Sequence, residues 1–272
     1  MLLLALLVSA TASAQKIGLA KGQIITIITT STQDIDMQGM GMQMKNNTNG
    51  TSVVEVKDSD KNNFTTTYKL SKINLTMDMM GQQTSYDSEK PEDKETEMSK
   101  AFAEKIGKEV IILIDKNTGK AILNKKDTAS QKAEESNTLD GLMNSFGAIE
   151  EDAAVETALF IIPPGKKTGD SWLDSTNNKG MKELKTFTLK SIDGNMASIG
   201  MFSTLQGSNT MEMQGMQMDI TISAKTEGEI VVNTKSSLVK KRSSVMDLTG
   251  SIEIMGQSVP VTSKAIVNID YK

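Results

Sequence analysis

Long stretches in which apolar and polar residues alternate are the feature that most constrains the fold. Between residues 64 and 79, and again between residues 259 and 271, most alternate positions carry apolar side chains. A period of two is typical of β-strands that bury one face. In the first stretch the apolar positions change from even to odd at Ser71-Lys72. Because this change would turn the side chains to the opposite face, it predicts a β-bulge there.

Turn residues divide much of the remaining sequence into further strands. A short hairpin is predicted with strands at residues 109–114 and 120–123. Turns are expected at Asn49-Gly50, Asn117-Thr118-Gly119, Asp193-Gly194-Asn195 and Glu227-Gly228.

The middle of the chain has a helical pattern instead. Residues 91–106 begin with a proline and acidic residues, continue with apolar residues at helical spacing, and are followed by Gly107. Residues 139–149 and 153–160 also have apolar residues at helical spacing, before Pro163 and Pro164. We therefore expect two or three helices in this part of the chain.

Two pairs of segments in the outer parts of the chain are similar to each other. Residues 37–44 align with 211–218 and residues 79–82 with 254–257, and the two offsets differ by one residue. This spacing favours a duplicated β-meander with two glycine-containing hairpins per copy over a chance similarity. The predicted fold is α+β: one large, twisted, mostly antiparallel half-barrel-like sheet of two similar meanders, with two or three helices inserted mid-chain. We expect a single domain over residues 15–272. It consists of a first meander copy (15–88), a helical insertion (89–170) and a second meander copy (171–272).

Residues 1–14 have the pattern of a secretory signal peptide. An apolar run at residues 2–8 is followed by small residues, with Ala12 and Ala14 placed as in an A-x-A cleavage site. Most such peptides carry a basic residue before the run, and this one has none. We expect a periplasmic or secreted protein whose mature chain begins at Gln15. No later segment has the length and apolarity of a membrane-spanning helix.

Composition argues against several classes of function. The chain has no cysteine and no histidine, Arg242 is its only arginine, and the net charge is −4. Without a basic stripe or aromatic platforms, nucleic-acid binding is not expected. The serine in Gly169-Asp170-Ser171-Trp172 has no histidine to act as its base, so this segment is interpreted as a turn before a strand whose Trp172 enters the core. We expect neither enzymatic activity nor a cofactor.

Two segments carry a resemblance to a known family. Residues 107–120, GKEVIILIDKNTGK, are followed by residues 160–172, FIIPPGKKTGDSW, which contain a Pro-x(5)-Gly-Asp-Ser-Trp motif. With the Met-Gly hairpins, they resemble an uncharacterised family of exported bacterial proteins, a domain of unknown function. The resemblance covers most of the mature chain and implies no activity and no site residues. The order of elements is also similar to the half-barrels of periplasmic lipoprotein carriers, which implies a fold alone.

A sheet covered by helices predicts an apolar pocket between the two layers. The preferred function is therefore non-catalytic binding of a lipid-like or other hydrophobic molecule. A purely structural or protein-interaction role, in which side chains fill the pocket, is one alternative. The expected lining residues are Phe102, Leu142, Met143, Phe146 and Phe160.

The methionines suggest a second alternative. The chain has 19, and thioether sulfur is a soft ligand that suits Cu(I). Methionine is also a flexible apolar side chain, so packing or a ligand-lining role is the preferred explanation. Alternate residues of a strand share a face, which makes these the candidate metal ligands: Met40, Met42, Met44, Met216 and Met218.

Overall fold

A computed structural model describes residues 17–39, 41–95, 102, 105–122, 151–178, 180–213, 216–254 and 256–272. Nearly all regular structure in these residues is β. The described helices are α1 (Glu151–Thr157) and a 3-10 helix (Pro91–Glu95). The strands are β1 (Ile24–Met37), β2 (Met42–Ser59), β3 (Asn63–Met79), β4 (Gln82–Asp87), β5 (Glu109–Asp115), β6 (Ala121–Ile122), β7 (Ser171–Asn178), β8 (Met181–Asp193), β9 (Met196–Met213), β10 (Met216–Asn233), β11 (Val239–Ile254) and β12 (Gln257–Tyr271).

All twelve described strands belong to one sheet, and every paired neighbour is antiparallel. The strand order is β6-β5-β3-β2-β1-β12-β11-β10-β9-β8-β7, and β4 pairs with β3 beside β5. The first and last strands of the sequence therefore pair in the interior of the sheet. The longest strands have 18 residues, which corresponds to about 60 Å. This length allows the two ends of one face to have different surroundings.

The expected α+β class is wrong, because the described residues form an almost entirely β structure. Of the helix predicted at residues 91–106, the 3-10 helix forms the first five residues, and Ile106 makes a β-bridge with Leu70. The helix predicted at 153–160 is α1, which ends early. Beyond its end, Phe160 N donates to Ser237 O and Val239 N donates to Ala158 O. Pairing with the chain before β11 thus satisfies backbone groups that a longer helix would have used. Residues 139–149 lie outside the described residues.

The change in parity at Ser71-Lys72 is a β-bulge, as predicted. Thr51 of β2 pairs with Lys72 of β3, whereas Ser52 pairs with Leu70, so Ser71 is the extra residue. The turns at residues 117–119 and 193–195 and the hairpin of β5 and β6 are also confirmed. The division of the chain into two meander copies stays a prediction.

Two of the expected turns are wrong, because their glycines lie inside strands. Asn49-Gly50 is part of β2 and Glu227-Gly228 is part of β10. At Gly228 a Cβ atom would lie 2.5 Å from the Ser243 carbonyl oxygen of β11. Gly250 of β11 has the converse arrangement, because its Cβ would lie 2.3 Å from the Thr221 carbonyl oxygen of β10. Glycine therefore permits close approach between β10 and β11 rather than a turn.

Residue pairing and burial define two faces of the sheet. The face that carries Ile25, Ile27 and Val54 contains the buried core, and we call it the inner face. On the outer face, six neighbouring strands carry alternating charges in direct register. Opposite charges placed directly across a strand pair stabilise that pairing and keep this face polar. The row is Asp78, Lys45, Asp34, Lys264, Asp247 and Lys225.

Candidate functional site: the inner face of the sheet

One end of the inner face is closed by a packed core. Ala154 and Val155 of α1, with Leu159 after it, pack against buried residues of the sheet. Aromatic rings extend this packing at β7 and β8: the centroids of Phe160 and Phe187 lie 5.1 Å apart. We call this end the core zone. Its fully or almost fully buried sheet residues include Ile27, Val54, Ile114, Leu189, Ile199, Ile230, Val232 and Ile269.

The Gly-Asp-Ser-Trp segment belongs to the edge of this core and forms the expected turn before β7. Asp170 Oδ2 accepts a hydrogen bond from Lys167 N at 2.8 Å. The Ser171 hydroxyl shares a hydrogen bond with the Thr188 hydroxyl at 2.8 Å. The ring of Trp172 stacks on Phe187 at 5.8 Å between centroids. These contacts give the segment a structural role.

The middle of the inner face carries polar side chains among apolar ones, and the apolar members of its rows are Leu75, Met77, Met201, Met246, Ala265 and Val267. Two adjacent rows of residues contribute small hydroxyl and amide side chains, which include buried Asn46 and buried Ser203. Gln33 Nε2 donates to Ser263 Oγ at 3.3 Å, and Asn46 Nδ2 donates to Met44 Sδ at 3.7 Å. Asn46 Oδ1 is buried with no hydrogen-bond partner among the described residues. We call this region the polar belt, and it consists of Ser31, Gln33, Asn46, Thr48, Ser203, Thr226 and Ser244.

Beyond the polar belt, towards the hairpins, the inner face becomes apolar again. Its side chains come from strands β3, β2, β1, β12, β11, β10 and β9, and most are only half-buried. Neither hydrophobic cluster of the described residues includes a member of this region. We call it the hairpin-end surface, and it consists of Ile35, Met37, Met42, Met44, Met79, Leu205, Ile220, Ile222, Leu248, Ile252, Val259 and Val261.

Two cavities adjoin the hairpin-end surface. The first has a volume of about 400 Å³. The outer face of β1, β2, β11 and β12 supplies eight of its twelve described lining residues, and the inner face supplies Ile35, Met44, Leu248 and Ser263. This volume lies in the range of small-molecule sites. The second is much smaller, about 10 Å³, which is close to the space of a single water molecule. Its lining is Ile35, Met37, Met42, Gln43, Met44 and Met79.

The structure describes two of the five residues expected to line a pocket, and it places them apart. Phe102 stacks on Tyr86 at 5.3 Å between ring centroids, in a small cluster with Leu75. Phe160 packs at the core zone. Leu142, Met143 and Phe146 lie outside the described residues. The pocket proposed for these five residues stays a prediction. The hairpin-end surface lies at the end of the sheet opposite the core zone.

The candidate metal ligands are likewise divided. Met42 and Met44 share the inner face of β2, whereas Met216 and Met218 begin β10. Four strand spacings separate β2 from β10, about 19 Å along the sheet, and Met40 lies outside the described residues. The register brings two other methionines to β2 instead: Met37 pairs with Met42, and Met79 pairs with Met44.

Sequence reasoning missed the importance of Arg242. It lies on the inner face of β11, directly between Ile269 and Ile230, where the core zone meets the polar belt. Part of the residue is exposed, but its Nε atom is shielded from solvent and has no hydrogen-bond partner among the described residues. Burial lowers the pKa of Arg242, and nearby Tyr271 acts in the opposite direction. One signal was available in the sequence: Arg242 is the only arginine, and it lies in a strand with alternating residues.

Tyr271 lies beside this arginine at the end of β12. Burial raises the pKa of its hydroxyl, while Arg242 and the Thr157 hydroxyl lower it. Thr157 donates its own proton to the Ala154 carbonyl oxygen at 3.0 Å. The Tyr271 oxygen is buried without a hydrogen bond of standard geometry to the described residues. Two polar groups with unused hydrogen-bonding capacity therefore adjoin each other on the inner face.

Two further structural findings concern metals and membranes. In the part of the chain that the structure describes, no group of three or more His, Cys, Asp or Glu side chains is placed to hold a metal ion. None of the helices described there combines the length and the apolarity needed to cross a membrane.

The family model that matches this chain covers residues 61–239, from before the Phe64 strand to the start of β11. Its description is "Family of unknown function (DUF6263)". The chain belongs to the DUF6263 family. No curated protein matches it. The matched region contains the polar belt residues of β9 and β10, Ser203 and Thr226, but ends before Arg242.

Solved structures give weak likenesses to this DUF6263 member. A lipovitellin structure, described as concerning lipid–protein interactions, has 13% identity and a TM-score of 0.47 over 93% of this chain. The chain spans 25% of that lipovitellin chain. DynF from the dynemicin biosynthesis pathway of Micromonospora chersina has 6% identity and a TM-score of 0.23, over 96% of this chain and 86% of DynF. Identities and scores this low transfer no ligand.

Proposed function

We propose that this DUF6263 protein is an exported, non-catalytic binding protein that holds a hydrophobic molecule with an acyl chain on its inner face. The observation that carries the proposal is the hairpin-end surface, where apolar side chains come from seven neighbouring strands and most of them are only half-buried. Burial of apolar surface is favourable by about 25 cal/mol per Å², so an occupant that covers these side chains gains affinity from each of them.

A flexible acyl chain fits this surface for two reasons. Four of its residues are methionines, whose unbranched thioether side chains adapt to irregular apolar ligands: Met37, Met42, Met44 and Met79. The apolar side chains also extend over seven neighbouring strands, so a flexible chain can cover several of them, and each methylene removed from water contributes about 0.8 kcal/mol. The outer face with its row of alternating charges stays in water, so the proposal assigns one face to the ligand and the other to solvent.

A charge placed on the hairpin-end surface tests this proposal. Leu248→Glu should reduce the affinity for the neutral probe N-phenylnaphthylamine at least about tenfold, because a carboxylate in an apolar site costs several kcal/mol unless it is protonated or paired. The measurement is a fluorescence titration of the purified protein. Ile266→Glu is the matched control, since Ile266 is 41% exposed on the outer face of the neighbouring β12.

The control should keep the affinity of the wild type, and thermal unfolding of both variants checks that each is folded. Equal loss in both variants, or no probe binding by the wild type, would contradict the proposal. Co-purification of a stoichiometric protein instead of a lipid would favour a protein-interaction role for the same surface.

A second candidate function is Cu(I) binding, and the small cavity is the observation that favours it. Four methionines line a space of about 10 Å³, and two pairs of them stand directly opposite each other on adjacent strands. Residues directly opposite on neighbouring strands have Cβ atoms about 5 Å apart, so their sulfur atoms are within reach of a shared ion. Thioether sulfur is a ligand type that Cu(I) accepts.

Replacement of Met37, Met42, Met44 and Met79 by leucine separates the two candidates. Leucine preserves apolarity and volume but has no sulfur, so probe affinity should stay within about twofold of the wild type. We expect wild-type Cu(I) affinity no tighter than about micromolar in an anaerobic competition titration. Met196→Leu, at the start of β9 and outside the small cavity, is the control. A nanomolar affinity at one ion per chain, lost only in the fourfold variant, would make Cu(I) the primary ligand.

A further inference from the structure

We propose that the ligand is an anionic amphiphile, and that Arg242 binds its carboxylate or phosphate head inside the sheet while the acyl chain follows β11 to the hairpin-end surface. This inference rests on the proposed hydrophobic-ligand function and specifies the chemical class of the ligand. It goes beyond that function because a purely apolar site has no use for a guanidinium group.

Arg242 lies among buried apolar residues of the inner face. Its two direct neighbours on the inner face, Ile269 and Ile230, are buried, and its Nε atom is shielded from solvent. Arginine stays charged in proteins and offers five N–H donors. Among the described residues no acidic side chain forms an ion pair with Arg242, and none accepts a hydrogen bond from it. A shielded N–H donor without a partner is costly, and an anionic ligand that accepts from it would remove that cost.

Tyr271 supplies a second donor at the same place. Its hydroxyl is buried beside Arg242 and makes no hydrogen bond of standard geometry to the described residues. Because burial disfavours the phenolate, the hydroxyl keeps its proton and can donate to an anionic oxygen. A guanidinium fork with an adjacent hydroxyl is a suitable donor set for a carboxylate or a phosphate.

The inner-face surface between Arg242 and Leu248 has the length that an acyl chain requires. Along the inner face of β11, Arg242 is followed by Ser244, Met246 and Leu248, six residues or about 20 Å. This distance is comparable with an extended long acyl chain. Small residues flank this path on both neighbouring strands: Gly228 and Ala224 on β10, and Ala265 and Ser263 on β12. The path ends at Leu248 of the hairpin-end surface.

The test compares ligands that differ only in the head. Palmitate, methyl palmitate and hexadecyl phosphate each compete with N-phenylnaphthylamine for the purified wild-type protein. Palmitate or hexadecyl phosphate should bind at least about tenfold more tightly than the methyl ester, because charge-assisted hydrogen bonds form only with the anion. The stronger of the two anions identifies the head as carboxylate or phosphate.

Arg242→Gln should remove this preference while leaving methyl palmitate affinity within about twofold, since the acyl path is unchanged. Arg242→Lys keeps the positive charge but loses the forked donors of the guanidinium group, so this variant should retain part of the preference for the anionic ligands. Lys241→Gln is the matched control, because it makes the same change in charge at the preceding exposed position of β11 and should change nothing.

Equal affinity of the wild type for palmitate and its methyl ester would overturn the assignment, and this comparison needs no variant to fold. Equal loss of both ligands in Arg242→Gln would also overturn it, because it would show a structural role. If the neutral probe binds but the head makes no difference, the proposed function stands alone. If no ligand binds, both fail.

Discussion

Leu189→Ala should lower the free energy of unfolding by about 4 kcal/mol. Leu189 of β8 is 0% exposed and pairs with Ile199 in the core zone, which is also fully buried. Truncation of a fully buried leucine loses its transfer free energy and leaves a cavity, which together cost about 2–5 kcal/mol. The value should be in the upper part of that range because strand backbones on either side limit collapse into the space. Urea unfolding followed by the fluorescence of Trp172, the only tryptophan, measures the change.

Leu173→Ala is the matched control for this prediction. Leu173 lies on neighbouring β7 and is 67% exposed, so its truncation should change the free energy of unfolding by less than about 0.5 kcal/mol. Similar losses for the two variants would contradict the assignment of the inner face at β8.

Gly250→Ala should destabilise the protein by about 2–3 kcal/mol. The added methyl carbon would lie 2.3 Å from the Thr221 carbonyl oxygen and 3.2 Å from Ile222 Cα, both of which belong to backbone that cannot rotate away. β10 and β11 would have to separate locally, and overpacking of this kind typically costs about 1–3 kcal/mol. The same urea titration measures the effect.

Gly50→Ala provides the contrast, because Gly50 is also a strand glycine but a Cβ there meets no atom within 4 Å. Its backbone is outside the left-handed region, so alanine should be neutral or stabilise by about 0.5 kcal/mol through the unfolded state. If Gly50→Ala is as harmful as Gly250→Ala, close strand approach is not the reason for glycine at position 250.

The alternation of side chains allowed much of the sheet to be predicted. Parity along residues 64–79 identified the bulge at Ser71, because a strand has only two faces and an extra residue is the simplest way to keep one of them buried. The turn residues at Gly119 and Gly194 were also informative. At both positions φ is positive, which glycine adopts without strain.

Other glycines misled the prediction for a physical reason. Gly228 follows an acidic residue, as many turn glycines do, but it serves the close approach of β10 to β11. That approach involves Ser243, which is distant from Gly228 in sequence. The contact can be recognised only when the register of β10 and β11 is known. The length of the helix predicted at 153–160 was overestimated for a similar reason. Residues 158–160 pair with the chain near Ser237, which is distant in sequence, and are therefore extended and not helical.

The candidate site was only partly accessible from sequence. Met42 and Met44 were recognised because alternate residues of one strand share a face. Their partners Met37 and Met79 depend on pairing between strands, which local periodicity does not report. Arg242 occupies an apolar row, and a single charged residue in an alternating strand does not reveal whether it points to solvent or to the core.

The pairing of β1 with β12 has a consequence for how the sheet assembles. Ile27 pairs with Tyr271, so this step joins residues separated by nearly the whole chain and closes an exceptionally large loop. Until it occurs, β1 and β12 are both long edge strands with unpaired backbone groups, which are hazards for aggregation. Contacts of such high sequence separation form slowly. A protein built this way is most vulnerable late in folding, while its two partial sheets wait to be joined through the centre.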